Sequence, residues 1–368
     1  MRSTLHIVIV ARHHNEPGSG GARRPGLLAK ALRERGHTVR VVSPHRGNHS
    51  DDIFIPHPAT HTGKSVPTVQ ASSIRERIKA PIRKLLLWPE PDIRWAKRVV
   101  AELPDQVERV DIILTTSPPE SVHYVGYALA RELGAQWHAD FRDTWTLRPH
   151  RQNVRGLRAV AERALARYWL RHVDRAFVVD SLIKADVGRA LPPDTTVRVI
   201  GHFSEPFEGT ALKLPEDMFN LVHAGGFSLS DHRRRLAPLV YKLRGARSDL
   251  CLHVAGRLTD EERLQLSQAP FETRYHGLLD LEESRALQAG ADALLLYTPN
   301  PSDALPGKVA EYVASGRPIV LIGDPQLRNR LPVETFDLQN IEKANLSSSQ
   351  PCALSDALSD FVDAIERA

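Results

Sequence analysis

The sequence has little of what marks secreted, disulfide-stabilised or membrane-spanning proteins. Its 368 residues contain only two cysteines, Cys251 and Cys352, which give no disulfide framework and agree with a reducing cytoplasm. No run of about 18 apolar residues occurs, so we expect no transmembrane helix. The apolar part of the N-terminus is too short for a signal peptide and is typical of a strand. A globular protein of about two domains fits the length.

A metal-binding pattern of histidines is also missing. His57 and His61 have the i,i+4 spacing of two ligands on one helical turn, but Pro58 between them prevents a helix there. The same spacing at His45 and His49 falls in a segment rich in proline, serine and threonine. We therefore expect surface histidines and no metal.

The glycine-rich loop after the first predicted strand lacks the dinucleotide-binding fingerprint. The spacing G-x-G-x-x-G would require glycine where Arg23 stands, and the second strand, at 38–43, ends without an acidic residue for a ribose. Gly20, Gly21 and Arg24 can still contact a phosphate or an acceptor sugar at the start of the following helix. The loop is thus a candidate acceptor site and not a nicotinamide site.

Charge is distributed unevenly along the chain. Residues 1–200 contain 32 Lys and Arg against 20 Asp and Glu, a net charge of +12, and residues 201–368 carry −7. A basic first half suits anionic lipid, nucleic acid or a phosphorylated acceptor, and it is equally typical of a solvated surface. No aromatic platform or helix-turn-helix pattern accompanies it, so we expect no nucleic-acid partner.

The segment Ile74–Trp95 has the pattern of a basic amphipathic helix. Ile74, Ile78 and Ile82 recur at helical spacing and are surrounded by Arg and Lys. Such a helix can lie on an anionic membrane, or it can pack on its own domain. The pattern alone leaves both alternatives open.

A candidate catalytic group follows two predicted strands of the first half. Apolar runs at 111–117 and 135–139 predict parallel strands, and Asp140-Phe-Arg142-Asp143 leaves the second of them. Side chains at that end of a strand face the crevice in which open α/β sheets bind ligands. Asp143 can orient or deprotonate a hydroxyl, and Arg142 can hold a phosphate; the alternative for Asp143 is a helix cap or a structural ion pair. His123 lies near the same edge.

A long helix is predicted from Arg151 to His172. Apolar positions recur at helical spacing, which predicts that they form the buried face, while the arginines are interpreted as a solvated face. The predicted core positions are Leu157, Val160, Ala161, Ala164, Leu165, Tyr168 and Trp169.

In the second half, strands ending in glycine alternate with helices. One strand ends in Gly225-Gly226 and another in Gly277-Leu278. A basic residue shortly after the first is one of three consecutive arginines, of which Arg233 fits the spacing best. Glycine at such strand ends lets a ligand approach the backbone.

Residues 302–320 form the most informative segment. They follow an apolar strand, cross a Pro/Gly loop, form a short helix and lead into a second apolar strand, which is a βαβ unit. Lys308 in the first helical turn brings a positive charge for a phosphate. Glu311 lies on the same side, where its carboxylate can accept hydrogen bonds from sugar hydroxyls. These are the parts of a nucleotide-sugar site.

This segment resembles the donor-site motif of family-4-type GT-B glycosyltransferases, and 111–145 is similar to a subset that makes bacterial surface polysaccharides. The acidic pair E-x7-E of that family corresponds to Asp303 and Glu311, with Asp at the first place. The matching positions of the donor motif are Pro306, Lys308, Glu311, Tyr312, Ala314, Gly316 and Pro318.

The resemblance implies an α/β fold of GT-B type, with two doubly wound Rossmann-like domains facing a central cleft. It places an acceptor-side domain at 1–204, a donor domain at 205–352 and a C-terminal helix at 353–368 that returns to the first domain. It implies transfer of a sugar, with retention, from a nucleoside-diphosphate sugar to a hydroxyl acceptor, lipid-linked in some members. Gly225, Gly226 and Arg233 would then hold the diphosphate, the loop at Gly277 and Leu278 the nucleobase, and neither metal nor cofactor is needed.

Two other functions remain open. An epimerase or hydrolase of nucleotide sugars shares this fold and works without an acceptor. A non-catalytic protein that binds a sugar or a lipid phosphate is the rival from another class, and Asp303 in place of glutamate favours it. For the enzyme we expect a cytoplasmic location, with peripheral contact to the inner face of the plasma membrane through Ile74–Trp95 as the alternative to a freely diffusing protein.

Overall fold

The computed structural model describes residues 3–16, 23–47, 49–58, 89–145, 156–299, 304–331, 335–336 and 354–367. The described residues form two compact units; the first ends at Val199 and the second begins at Ile200 and includes the helix near the C-terminus. Several predicted features lie outside the described residues: Gly20, Gly21, Asp303 and most of the basic segment, at 74–88.

The first unit is built on a parallel sheet whose described strands have the order β3-β2-β1-β4-β5-β6-β7. Runs of apolar residues form these strands because helices cover a parallel sheet on both faces; all six residues of β4, for example, are buried. The order reverses direction between β1 and β4, which is the switch point at which such sheets bind ligands. The strands are β1 His6–Val10, β2 Thr38–Ser43, β3 Ile53–Phe54, β4 Ile112–Ser117, β5 Gln136–Phe141, β6 Arg175–Val178 and β7 Thr196–Val199.

The helices of the first unit connect successive strands. The helix between β1 and β2 buries Leu27, Leu28 and Leu32 and ends before Gly36, whose φ of +88° suits glycine. The described helices are α1 Arg23–Glu34, α2 Ile93–Glu102, α3 Val122–Leu129, α4 Leu157–Leu170 and α5 Ser181–Val187, with a short 3₁₀ helix at Pro104–Gln106.

The second unit repeats the same topology. Its described strands have the order β10-β9-β8-β11-β12-β13, again parallel, with the switch point between β8 and β11. The strands are β8 Phe219–Ala224, β9 Leu250–Ala255, β10 Glu272–Gly277, β11 Ala293–Thr298, β12 Ile319–Gly323 and β13 Thr335–Phe336. The helices are α6 Leu236–Leu243, α7 Asp260–Ser267, α8 Leu281–Gly290, α9 Lys308–Ala314 and α10 Leu354–Glu366, with a 3₁₀ helix at Pro325–Arg330.

Helices cover both faces of the second sheet. On one face, Leu239 of α6 and Leu266 of α7 pack with the alternate strand residues that include Leu221. On the other, Leu287 of α8 and Tyr312 of α9 pack with the remaining strand residues. This two-sided core confirms the predicted doubly wound α/β architecture.

One prediction about the first unit is wrong for most of its residues. Helix α4 buries Glu162, Ala166, Trp169 and Leu170, so Trp169 is the one predicted core residue of this helix that is buried, and Leu165 is half-buried. Both sides of this helix carry apolar residues at helical spacing, so periodicity alone cannot identify the side that meets the sheet. The predicted core residues that are exposed are Leu157, Val160, Ala161, Ala164 and Tyr168.

Among the described residues, no helix is both long enough and apolar enough to cross a membrane.

Candidate active site

Glycine lines the carboxyl ends of the strands at the switch point of the second sheet. Gly225 follows β8 with φ of +123°, and Gly256 follows β9 with φ of +144°. A Cβ atom on Gly256 would lie 2.6 Å from the carbonyl carbon of Gly225, so no side chain fits between these loops. The N–H of Gly256 donates to the Gly277 carbonyl at 2.7 Å, which joins the loop to the end of β10. A ligand here meets backbone at close range.

Lys308, the first residue of α9, reaches the same edge. Its Nζ donates to the Ala224 carbonyl at 2.9 Å, at the end of β8. A Cβ atom on Gly225 would lie 2.9 Å from that Nζ, so the glycine leaves the room that the ammonium occupies. The structure therefore brings the two predicted donor residues Gly225 and Lys308 together, although they are far apart in the sequence.

The Lys308 ammonium lies in an unfavourable electrostatic environment. Burial and the positive charge of Arg234 lower its pKa to about 7, and the carboxylate of Glu311 acts in the opposite direction. Burial and a neighbouring cation therefore disfavour the charged form of Lys308, and a bound anion would favour it.

Of the three consecutive arginines, Arg234 is the one whose charge acts on Lys308, while the predicted donor residue Arg233 pairs with a carboxylate of its own loop. The guanidinium of Arg233 donates to Asp231 at 2.6 Å, and this carboxylate is almost fully buried. Arg234 acts on the lysine through its charge, and its Nε is buried without a hydrogen-bond partner among the described residues. Three consecutive arginines gave no way to choose between them, although Asp231 two residues earlier could have indicated a local partner for Arg233.

Tyr312 and Glu262 fix the loops around the lysine. The buried Tyr312 hydroxyl donates to the Leu295 carbonyl at 3.3 Å and accepts the Ala224 N–H at 3.0 Å, which ties α9 to the end of β8 and to the middle of β11. Glu262 of α7 accepts the N–H and the hydroxyl of Ser228, at 2.9 and 2.7 Å, and so anchors the loop after β8. The sequence motif contained Tyr312 without indicating this role.

The remaining predicted donor residues lie around these loops. Gly226 is closely packed, because a Cβ atom there would lie 3.0 Å from the Ser230 hydroxyl oxygen. Leu278 follows β10 and is 58% exposed. Glu311 lies in the first turn of α9 and is half-buried.

His223 is a buried residue of this region that the sequence analysis missed. Its Nδ1 donates to the Leu295 carbonyl at 3.0 Å, and its ring stacks on Phe227 at 4.4 Å. Burial, with a further contribution from Lys308, lowers its pKa well below the usual value, so the ring is neutral. Its Nε2 has no hydrogen-bond partner among the described residues. A neutral ring next to the lysine adds no further positive charge.

In the first unit, the predicted acceptor-loop residue Arg24 is part of a buried ion pair. Its guanidinium donates to both carboxylate oxygens of Asp140, at 3.1 and 3.0 Å. Thr116 donates its hydroxyl to the same carboxylate at 2.8 Å. The pair joins α1 to the carboxyl ends of β4 and β5, beside the switch point of the sheet. The sequence analysis did not identify Asp140, whose partner is 116 residues away.

Arg142 and Asp143 follow β5 at this edge. The Arg142 guanidinium donates to the carbonyls of Ser117 and Pro118, at 2.9 and 3.3 Å, and burial lowers its pKa to about 10 despite the nearby Asp140 carboxylate. It therefore holds the loop after β4. Asp143 is half-buried, and its Oδ1 accepts the N–H of Thr144 at 2.8 Å. The Asp143 side chain is therefore partly exposed, and its carboxylate can contact a substrate.

His123 is fully buried rather than open to a substrate. Its Nδ1 lies 2.8 Å from the Thr115 hydroxyl oxygen. The centre of its ring lies 4.5 Å from that of Phe141 and 5.8 Å from that of Trp145. Burial lowers its pKa to about 3, so the imidazole is neutral at all ordinary pH values. Trp137 donates its indole N–H to the same hydroxyl, at 2.9 Å.

The described residues contain no group of three or more His, Cys, Asp or Glu side chains that could hold a metal ion. Among the charged side chains that the structure brings to the carboxyl ends of the strands are Lys308 and Arg234 in the second unit and Arg142 and Asp143 in the first.

Solved structures share this fold at low sequence identity. Sucrose-phosphate synthase from Thermosynechococcus elongatus superposes with a TM-score of 0.63 and 16% identity, over 98% of this chain and 94% of that one. Anabaena HepE in complex with UDP and glucose superposes with a TM-score of 0.63 and 12% identity, over 99% of this chain and 100% of that one. A putative UDP-N-acetylglucosamine 2-epimerase from Listeria monocytogenes superposes with a TM-score of 0.57 and 14% identity, over 99% of this chain and 96% of that one. Comparison with curated proteins gives no match.

These structural similarities confirm the predicted GT-B fold. A comparison of the sequence with family models gives an independent match. The model of the glycosyl transferase 4-like domain matches residues 19–202, half of the chain. The matched part contains β2 to β7 and the Arg24–Asp140 pair. The chain belongs to the glycosyl transferase 4-like family.

Proposed function

We propose that this glycosyltransferase moves a sugar from a nucleoside-diphosphate sugar to a hydroxyl acceptor. The observation that carries the proposal is the Lys308 ammonium at the glycine-lined end of β8, with Arg234 as a second cation nearby. Glycine at these strand ends would let a diphosphate approach the backbone. The two cations would stabilise its negative charge as it leaves the sugar, as preorganised charges do at other anion sites.

The other residues have proposed roles in the same reaction. Glu311 accepts hydrogen bonds from donor hydroxyls. Asp143 orients or deprotonates the acceptor hydroxyl. Because the cations and backbone N–H groups balance the diphosphate, the mechanism that we propose uses no metal, and retention of configuration is taken from the family resemblance. Asp303, Gly20 and Gly21 keep their predicted roles as proposals, since they lie outside the described residues.

The proposed setting is polysaccharide or glycolipid synthesis at the cytoplasmic face of the membrane. Its support is the resemblance of 111–145 to enzymes of surface-polysaccharide synthesis and the basic pattern of Ile74–Trp95, of which only 89–95 is described. UDP is the first nucleotide to test, because the HepE structure contains UDP and glucose.

The decisive experiment is thermal melting of the protein with UDP, GDP, ADP, CMP or NAD, without added metal. A ligand that binds only the folded state adds about 2.7 kcal/mol of stability at a hundredfold excess over its dissociation constant. A shift with one nucleoside diphosphate supports the donor site and identifies its base. Absence of a shift with all of them would favour the non-catalytic binding protein instead.

Substitution then tests the residues. Lys308→Ala and Glu311→Ala should abolish sugar transfer while leaving the folded protein intact, whereas Lys242→Ala and Glu261→Ala, on the exposed faces of α6 and α7, should leave it unchanged. Wild-type turnover in either of the first two variants would contradict the site assignment.

The structural similarity to the putative 2-epimerase supports a second candidate function, the epimerisation or hydrolysis of a nucleotide sugar. An epimerase or a hydrolase changes the sugar nucleotide without an acceptor. Conversion of the donor that requires an added hydroxyl acceptor supports the transferase, and acceptor-independent epimerisation would replace it.

A further inference from the structure

The outward face of α4, in the first unit, carries apolar side chains exposed to solvent. Leu157 is 89% exposed, Val160 55% and Tyr168 50%. Together with the exposed Ala161 and Ala164 they form one stripe along the helix, because positions three, four and seven apart lie on the same side. We name these five residues the α4 stripe. It lies opposite the face that packs on the sheet, so it contributes nothing to the core.

Arginines border the α4 stripe. Arg163 and Arg167 are exposed on the helix, and Arg171 follows at its C-terminal end. The single acidic residue of the helix, Glu162, is buried on the opposite face and pairs with Arg158 at 3.2 Å. The outward face of α4 is therefore apolar and positive, without an exposed carboxylate.

The C-terminal end of the stripe combines aromatic rings with an arginine. The Arg171 guanidinium lies 4.1 Å from the centre of the Tyr168 ring and donates to the Tyr127 hydroxyl at 2.9 Å. Tyrosine and arginine in such an arrangement suit a boundary between water and lipid, because each has an apolar body and a polar end. The centre of the Tyr168 ring also lies 5.2 Å from that of Tyr127 in α3, so these contacts fix the position of a half-exposed ring.

We propose that the outward face of α4 docks on an anionic lipid surface, with the α4 stripe at the level of the acyl-chain boundary and the arginines among the phosphates. Charge complementarity favours this partner. A second copy of the same face would bring like charges together, and a nucleic acid would bind the arginines but leave Leu157 in water. The surface is distinct from the Ile74–Trp95 segment, and the proposal does not depend on the donor or the reaction.

Co-sedimentation of the full-length protein with vesicles tests the proposal. We compare pure phosphatidylcholine vesicles with vesicles that contain phosphatidylglycerol, at low and high salt. Wild type should bind the anionic vesicles, and salt should weaken the binding. Arg163→Gln with Arg167→Gln should weaken it by about fivefold per arginine. The double variant Arg198→Gln with Arg244→Gln removes two exposed arginines elsewhere and should bind more tightly than the α4 double variant.

The apolar contribution is tested with a triple variant. Changing Leu157, Val160 and Tyr168 to Ser should weaken vesicle binding by about tenfold or more, because their apolar surface would no longer leave water. The matched control changes three exposed apolar residues of the second unit to Ser and should bind as wild type does; they are Leu229, Tyr241 and Leu264.

Three results would overturn the proposal. Wild type could fail to bind anionic vesicles, it could bind neutral vesicles equally well, or the triple variant could bind as tightly as wild type. Sedimentation velocity without lipid adds a further one: a dimer in wild type that the triple variant loses would assign the α4 stripe to self-association. Thermal melting of each variant verifies that it is folded; the triple variant should lose only the small contribution of the contacts of Tyr168 with Arg171 and Tyr127.

Discussion

The pKa of Lys308 leads to a specific prediction for donor binding. With a pKa of about 7 in the unliganded protein, the ammonium is half-deprotonated at neutral pH. The diphosphate of an intact nucleotide sugar binds the charged form. The dissociation constant should therefore be constant below about pH 6 and rise by up to tenfold per pH unit above pH 7, until the pKa of the complex is reached.

Two variants isolate the lysine in this prediction. Lys308→Arg keeps a permanent charge and should abolish the pH dependence, although its fork differs from an ammonium in shape. Lys308→Met should abolish the dependence and also weaken binding by about 10- to 150-fold, the value of a charged hydrogen bond of about 1.5–3 kcal/mol.

Calorimetric titration with UDP-glucose, or with the donor selected by the melting screen, measures the effect between pH 6 and pH 9. An intact sugar nucleotide is the correct probe because free UDP has a terminal phosphate that itself titrates near pH 6. A flat wild-type profile would refute the reasoning, and so would a slope that persists in Lys308→Met.

Three further substitutions test the packing around the two sites. Gly225→Ala should weaken UDP binding, because its Cβ atom would meet the lysine ammonium; Gly245→Ala, also at positive φ but with open space around it, is the control in the same calorimetric titration. Asp140→Asn should lower the free energy of unfolding by about 3–5 kcal/mol in urea titrations, because it leaves the buried Arg24 without its charged partner. Tyr312→Phe should cost about 1–3 kcal/mol by the same measurement, since it removes the hydroxyl that holds two backbone groups.

The alternation of strands and helices was predictable because it depends on patterns of neighbouring residues. Buried parallel strands require continuous apolar runs, and helix ends require residues such as Gly36 and Gly316, both at positive φ. The donor motif was equally local, because Lys308 and Glu311 lie in one helical turn. Both features are set by neighbours within a few residues.

The remaining features depend on contacts between distant parts of the chain. Asp140 gave no signal because its partner Arg24 comes from another element, and which arginine acts on Lys308 through its charge depends on where a loop turns. The buried face of α4 was predicted wrongly for a related reason. Two apolar faces on one helix satisfy the same periodicity, and only packing against the rest of the unit, which buries Ala166 and Leu170, decides between them.

The environment that prepares Lys308 for an anion should also destabilise the unliganded protein. Its folded pKa of about 7 is lower than the pKa of about 10.4 that a lysine has when unfolded. Between these values the unfolded chain binds more protons, so the lysine's contribution to stability improves as pH rises through this window and is least favourable below pH 7. Lys308→Met removes that penalty.

The variant should therefore melt at a higher temperature than wild type at pH 6, and the difference should shrink by pH 9. UDP should stabilise wild type more than the variant at pH 6, because binding the anion relieves the same penalty. Melting curves at both pH values, with and without UDP, measure all of these differences. A pH-independent difference, or a variant less stable than wild type at pH 6, would show that Lys308 is not held in an unfavourable charge state and would remove the electrostatic basis of the donor site.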